Sequence, residues 1–196
     1  MAFIANTMFE VKCSNSVYDE LANITGVYQA SSANADCSAG LLCVRGNRYP
    51  NQGYTGINNV NAYLMTAAAA TDITGIYACN PYDVQMVSSA SGNAYKVGTE
   101  TLGLGEVAGI PTTFTKIDFD SNDKIYRFGI GNLSTAIGSN TYFIIAAGLL
   151  VPASAAPKAG TPYFKLVDTG NATVGSWAGM TYYDVMACRD VNVATA

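Results

Sequence analysis

The side chains best suited to acid–base, nucleophilic or metal chemistry are scarce in this sequence, and histidine is absent. Without imidazole the chain lacks the usual Ser-His-Asp and Cys-His nucleophiles, the HExxH metal site and the readiest proton carrier near neutral pH. Its 14 acidic residues are spread mostly singly through turn-like segments. No pair stands out as the two carboxylates of a glycosidase. We therefore expect a protein that is not an enzyme, with no cofactor and no bound metal.

One acidic run begins like a calcium loop. Asp118–Asp123 offers oxygen atoms at alternate positions, but Asp123 and Gly129 stand where such a loop requires glycine and glutamate. The run is better explained as a turn with a solvated acidic tip, and weak calcium or magnesium binding is the alternative. The glycine-rich segment Gly103–Gly109 does not lie between a strand and a helix, so it indicates turns and not a nucleotide site.

The cysteines are odd in number and form no CxxC pair, which argues against a disulfide framework and a zinc site. They are Cys13, Cys37, Cys43, Cys79 and Cys188. We expect buried reduced thiols that act as small hydrophobic side chains. A disulfide between Cys37 and Cys43, across a loop, is the alternative in an oxidising environment.

Five aromatic residues lie near glycine, asparagine or proline and are candidates for an exposed contact surface. They are Tyr49, Tyr54, Trp177, Tyr182 and Tyr183. Exposed aromatic rings stack on sugars or anchor protein interfaces, although most aromatic residues of such a chain belong to its core.

The elements that would position these residues are mainly strands. Short apolar runs separated by turn residues predict a mainly β protein, an antiparallel sandwich or barrel with one or two short helices in the N-terminal half. Helices are predicted at about Ser14–Ile24 and Asn59–Ala70. Strands are predicted at Leu41–Arg45, Ile76–Cys79, Val84–Val87, Tyr95–Val97, Tyr142–Ala147, Tyr163–Asp168 and Tyr182–Cys188.

The clearest pattern covers Thr113–Ile130. Alternation of period two on both sides of the polar turn Asp120–Asp123 predicts a β-hairpin. The Pro/Ala-rich stretch Pro152–Pro162 predicts an ordered surface arm or loop. We expect residues 1–196 to form a single β-rich domain with a soft boundary near residues 88–93.

The low content of charged residues argues against some classes of binding partner. Charged residues make up only 12% of the chain and the net charge is −4, without a basic cluster. Nucleic acids and anionic membranes attract clustered lysine and arginine, so we expect neither as a partner. The N-terminus does not read as a secretory signal, which predicts synthesis in a cytoplasm. Much of the surface must consist of small and neutral polar residues, which cost less to desolvate than charges.

Residues 92–190 resemble small bacteriophage head accessory proteins, of the capsid decoration or head-fibre-base type. The likeness lies in Tyr95-Lys96-Val97-Gly98, Ala108-Gly109-Ile110-Pro111, Lys124–Gly129, Leu149–Val151 with the Pro/Ala arm, and Tyr163-Phe164-Lys165-Leu166. The resemblance implies a β-rich protein that sits on capsomers, often as a trimer, and stabilises the shell or carries a fibre.

The sequence therefore favours a virion structural protein that forms a homo-oligomer, with a trimer favoured, and that binds capsid or other virion proteins. A carbohydrate-binding or adhesive β-module on a phage tail or cell surface is the alternative. An enzyme that uses carboxylates or a metal is the third hypothesis.

Overall fold

The computed structural model describes residues 4–12, 23–49, 62–81, 86–89, 92–95, 105–121, 124–173 and 178–190. The described chain is mainly β-structure. Its strands are β1 (Phe9–Lys12), β2 (Asn23–Ala30), β3 (Ala33–Asn34), β4 (Cys37–Ser38), β5 (Leu42–Arg48), β6 (Ala62–Ala67), β7 (Ile76–Cys79), β8 (Met86–Ser89), β9 (Gly92–Tyr95), β10 (Gly105–Glu106), β11 (Thr112–Lys116), β12 (Ile125–Gly129), β13 (Tyr142–Ala146), β14 (Leu149–Ala153), β15 (Tyr163–Asn171) and β16 (Thr181–Cys188). A short 3-10 helix, Ile130–Asn132, follows β12.

The first sheet is antiparallel and has the strand order β1-β12-β16-β15-β13-β14. Its strands alternate between two faces, as period-two sequences do. In β12, Tyr126 and Phe128 are fully buried, whereas Ile125 and Arg127 on the opposite face are half-buried. The first sheet therefore has one core-facing side and one outer side.

The second sheet closes on itself. Strands β2, β6, β5, β7 and β11 pair in that order, and β11 also pairs with β2 to complete the ring. The β2–β6 pairing is parallel and the others are antiparallel. We call these five strands the closed ring. Closure satisfies the backbone groups that would otherwise be left at two sheet edges.

Two hydrophobic cores follow from this arrangement. The main core lies between the first sheet and the closed ring, where Leu42, Ile76 and Ala78 of the ring join Phe128 and Phe164 of the first sheet. The second core fills the ring. Its buried members are Cys37, Leu41, Cys43, Met65, Tyr77, Cys79 and Phe114. Ring strands therefore bury side chains on both faces.

Hydrogen bonds also link the first sheet to the ring, among them those at the β13–β14 turn and at Asn132. The turn at Ala147 and Gly148, where both residues have positive φ, links β13 to β14 and hydrogen-bonds to Leu42 and Ala68. The side chain of Asn132 is 1% exposed. It accepts hydrogen bonds from the backbone N–H groups of Met8 and Gly129 and donates one to the Ala39 carbonyl.

The prediction of a hairpin over Thr113–Ile130 was wrong, although both strands exist. β11 pairs with β7 and β2 in the closed ring, whereas β12 pairs with β1 and β16 in the first sheet. The chain therefore passes from the closed ring to the first sheet between β11 and β12. Alternation predicts a strand and its buried face, but it does not identify the neighbouring strand.

The predicted helix Asn59–Ala70 was also wrong over the described residues, because Ala62–Ala67 form β6. Hydrogen-bonding neighbours on both sides, β2 and β5, override the helical spacing of Tyr63, Leu64 and Ala67. The helix predicted over Ser14–Ile24 lies mostly outside the described residues, and Asn23–Ile24 begin β2. No described helix is long enough to cross a membrane.

The mainly β prediction is confirmed, and the layers form a sandwich-like arrangement. Ile76–Cys79 has the predicted bounds, and the strands predicted at Leu41–Arg45, Tyr142–Ala147, Tyr163–Asp168 and Tyr182–Cys188 differ from the observed ones mainly at their ends. Met86–Ser89 and Gly92–Tyr95 pair as a hairpin that spans the predicted soft boundary. Part of each strand predicted there lies outside the described residues.

Candidate interaction surface

The outer side of the first sheet collects side chains from all six strands, and we call it the outer face. Pairing register and burial place these residues on it: Glu10, Lys12, Ile125, Arg127, Tyr142, Ile144, Val151, Lys165, Asp168, Tyr182, Asp184 and Met186. Tyr182 is one of the five aromatic residues that the sequence indicated.

Arg127 organises the polar half of the outer face. Its Nε and Nη2 atoms each donate to an Asp184 carboxylate oxygen at 2.7 Å. Its guanidinium carbon lies 3.6 Å from the centroid of the Tyr182 ring, and Nη1 lies 3.6 Å from Oε2 of Glu10. The two-pronged pairing and the stacking hold the guanidinium plane in one orientation.

The charges of this cluster are largely neutralised within the outer face. The hydrogen bonds to Asp184 raise the pKa of Arg127 above its ordinary value, so the guanidinium stays charged. The Arg127 side chain is 17% exposed and that of Asp184 is 12% exposed. A partner that covers this pair meets charges already partly desolvated and hydrogen-bonded to each other, which lowers the cost of burying them.

The other half of the outer face carries mostly apolar side chains, with Lys165 opposite both Met186 and Tyr142. Ile144 lies opposite Val151, and Met186 lies opposite Ile125. These four side chains are half-buried, as is Tyr142. The Tyr142 ring is 6.0 Å from that of Tyr163, which is buried. Partly exposed aliphatic, sulfur and aromatic groups on a flat sheet are typical of surfaces that pack against other proteins.

The predicted contact residues do not come together. Tyr49 is half-buried beside the closed ring, where its hydroxyl accepts a hydrogen bond from Asn34 Nδ2 at 2.9 Å. Tyr183 is 6% exposed and packs in the main core, with its ring 6.4 Å from that of Phe143. Of the three predicted contact residues that the structure describes, only Tyr182 lies on the outer face; Tyr54 and Trp177 lie outside the described residues.

Two carboxylates of the outer face lie on neighbouring strands. Asp168 lies opposite Asp184 across β15 and β16. Both Asp184 oxygens accept hydrogen bonds from Arg127, which fixes the orientation of this carboxylate on the outer face.

The acidic turn holds itself together through its own side chains. Asp118 accepts hydrogen bonds from the Asp120 N–H and the Ser121 hydroxyl, and its carboxylate is 3.5 Å from Lys124 Nζ. Burial alone would raise the pKa of Asp118, but these hydrogen bonds and Lys124 lower it overall. Among the described residues, no group of three or more cysteine and acidic side chains is arranged to hold a metal ion.

Sequence reasoning missed Arg127, Asp184 and Met186 as members of one surface. The signal was present in the alternation of Ile125 and Arg127 with Tyr126 and Phe128. It became informative only with the register that aligns β12 with β16.

No protein-family model, curated protein or solved structure matches this chain.

Proposed function

We propose that this chain is a virion structural protein, a capsid decoration or head-fibre-base component, and that its outer face packs against capsid proteins. The outer face carries the proposal, because it combines half-buried apolar side chains with an internally neutralised Arg127–Asp184 pair. The small share of charged residues in the whole chain, 12%, further lowers the cost of burying its surface. The resemblance of residues 92–190 supplies the virion setting, with synthesis in the host cytoplasm.

The first test asks whether the protein binds assembled heads. Purified protein is sedimented with heads of the phage whose genome encodes it, and the bound amount is compared among variants. Ile144→Asp, which places a charge in the apolar half of the outer face, is expected to reduce binding at least tenfold. Val107→Asp is the matched control, because Val107 is 43% exposed and lies next to β10. Equal binding by both variants would remove the outer face from the interface.

Native mass measurement tests the oligomer separately. We expect a trimer, as the resemblance implies, and a monomer that also fails to bind heads would contradict the proposal. The two measurements are independent, because a monomer can still decorate a shell.

A carbohydrate-binding or adhesive module is the second candidate, and the Tyr182–Arg127–Asp184 cluster favours it. An aromatic ring beside hydrogen-bonding groups is a common feature of sugar sites. One face of the Tyr182 ring is covered by Arg127 and the hydroxyl end of the ring lies beside Gly170, so a sugar would contact the remaining part of this half-buried ring. A glycan array with no signal, and attachment unchanged by Tyr182→Ala and Trp177→Ala, would exclude this function.

A further inference from the structure

Three thiols meet at one end of the closed ring. Cys43 lies near the start of β5 and Cys79 ends β7, which runs antiparallel beside it. Cys37 belongs to β4, outside the ring, and its side chain joins the core inside the ring. The Cys79 thiol lies 3.9 Å from the Cys37 carbonyl oxygen, and the thiols of both Cys43 and Cys79 lie close enough to shift the pKa of the Cys37 thiol. All three are free thiols and are almost completely buried.

The register shows which pairs of these thiols can bond. Cys43 lies opposite Tyr77, so Cys79, two residues further along β7, is its diagonal neighbour. Diagonal neighbours on one face are about 7–8 Å apart, which exceeds the reach of a disulfide. Cys37 packs in the same core as the other two, with both thiols near its own, and is therefore the shared partner.

A short lid covers Cys37. β4 pairs with β10 through only two residue pairs, Cys37 with Glu106 and Ser38 with Gly105. A side chain at position 105 would meet the Cys37 carbonyl oxygen and lie 2.8 Å from the Ser38 Cα. Only glycine allows β10 to approach this closely. Such a small ladder opens more readily than the ring, because opening it breaks few hydrogen bonds.

We propose that Cys37 is a redox-sensitive residue that forms a disulfide with Cys43 or Cys79 when the β4–β10 lid opens in the presence of a low-molecular-weight disulfide such as oxidised glutathione. The Cys37 thiolate attacks one glutathione sulfur, forms a mixed disulfide and releases one glutathione thiolate. The thiolate of Cys43 or Cys79 then attacks the Cys37 sulfur and releases the second. Two protein thiols are oxidised, one glutathione disulfide is reduced to two thiols, and the two protons pass to the released thiolates.

The lid explains why the closed protein stays reduced. Burial raises the pKa of the Cys37 and Cys79 thiols well above the ordinary value, so almost no thiolate exists while the lid is shut. Opening returns Cys37 to water and restores its reactivity. The disulfide would then tie β4 to the ring and hold the lid against it.

Oxidation followed by intact mass and peptide mapping tests the pairing. Wild-type protein incubated with oxidised glutathione is expected to lose the mass of two hydrogens, with the bond mapped to Cys37. Cys37→Ala should abolish the bond, Cys43→Ala should leave Cys37–Cys79, and Cys79→Ala should leave Cys37–Cys43. Cys188→Ala is the matched control and should oxidise as the wild type does, because Cys188 ends β16 in the first sheet. A protein disulfide that persists in Cys37→Ala, or a wild type that stays fully reduced, would overturn the proposal.

Alkylation rates test the lid. Gly105→Ala should accelerate labelling of Cys37 about tenfold or more, because the new methyl group displaces β10. Gly160→Ala, where an added Cβ meets nothing within 4 Å, is the control and should leave the rate unchanged. If Gly105→Ala does not fold, wild-type protein in urea below its unfolding midpoint replaces it. Cys37 should then react before global unfolding, and labelling only upon global unfolding would refute the lid.

Discussion

Asn132 lies at the junction of the first sheet and the closed ring, and its replacement tests how the two layers are joined. Its side chain makes hydrogen bonds of 3.0 Å to the Met8 N–H, 3.0 Å to the Gly129 N–H and 2.7 Å to the Ala39 carbonyl. Asn132→Ala removes all three. A buried polar group left without a partner costs about 1–3 kcal/mol.

The three losses do not add in full. Gly129 N–H also donates weakly to the Met8 carbonyl at 3.4 Å, which partly compensates one of them. We therefore expect the free energy of unfolding to fall by about 3–5 kcal/mol. Domains are stable by about 5–15 kcal/mol, so the variant would lose a large fraction of its stability.

Equilibrium urea unfolding, followed by circular dichroism and intrinsic fluorescence, measures this change. Asn140→Ala is the matched control, because its Nδ2 donates a single hydrogen bond of 2.9 Å to Ile137 in a turn. We expect that control to cost about 1 kcal/mol. Equal losses in the two variants would refute the account of Asn132 as the link between the layers.

Gly148→Ala should lower the free energy of unfolding, measured in urea, by about 2–4 kcal/mol, because its Cβ would lie 2.8 Å from Leu41 Cδ1 at a φ of +75°. Gly138 also has positive φ but open space around it, so an equal effect of Gly138→Ala would show that φ alone matters. Gly26→Ala should lower the melting temperature by several degrees, roughly 1–3 kcal/mol, because the added methyl group enters the ring against Met65 and Phe114. Adding Met65→Ala to that variant should recover part of the lost stability, because it makes room for the added methyl group. If the losses of the two single variants simply add in the double variant, the interior of the ring is not tightly packed at this place. Asp118→Asn should destabilise the protein at neutral pH, and the difference from wild type should vanish as the pH falls below about 4, because hydrogen bonds and Lys124 hold the pKa of Asp118 below its unfolded value. Urea midpoints measured across that pH range check the sign, and a difference that grows in acid would contradict it.

The sequence predicted the strands better than their partners. Alternation in Thr113–Ile130 identified two strands and the buried face of β12, although β11 is buried on both faces. It did not show that the two strands belong to different sheets, because a polar segment between strands is compatible with a crossover as well as with a hairpin. β14 was missed because Pro152 argues against a strand. It lies at the edge of the first sheet, where a missing N–H is tolerated.

The surface and the thiol cluster depended on register that local sequence does not encode. Arg127 and Asp184 are 57 residues apart, and only the β12–β16 pairing makes them neighbours. The expectation of buried free thiols is confirmed for Cys37, Cys43, Cys79 and Cys188, and Cys13 lies outside the described residues. Cys43 and Cys79 become neighbours only through the pairing of β5 with β7.

Covalent footprinting of the protein, free and bound to phage heads, tests the central claim most directly. If the outer face packs against capsid proteins, modification of Met186 and Tyr142 should fall several-fold in the bound state, whereas modification of Val107 should not change. Unchanged modification of Met186 and Tyr142 on fully decorated heads would contradict the account.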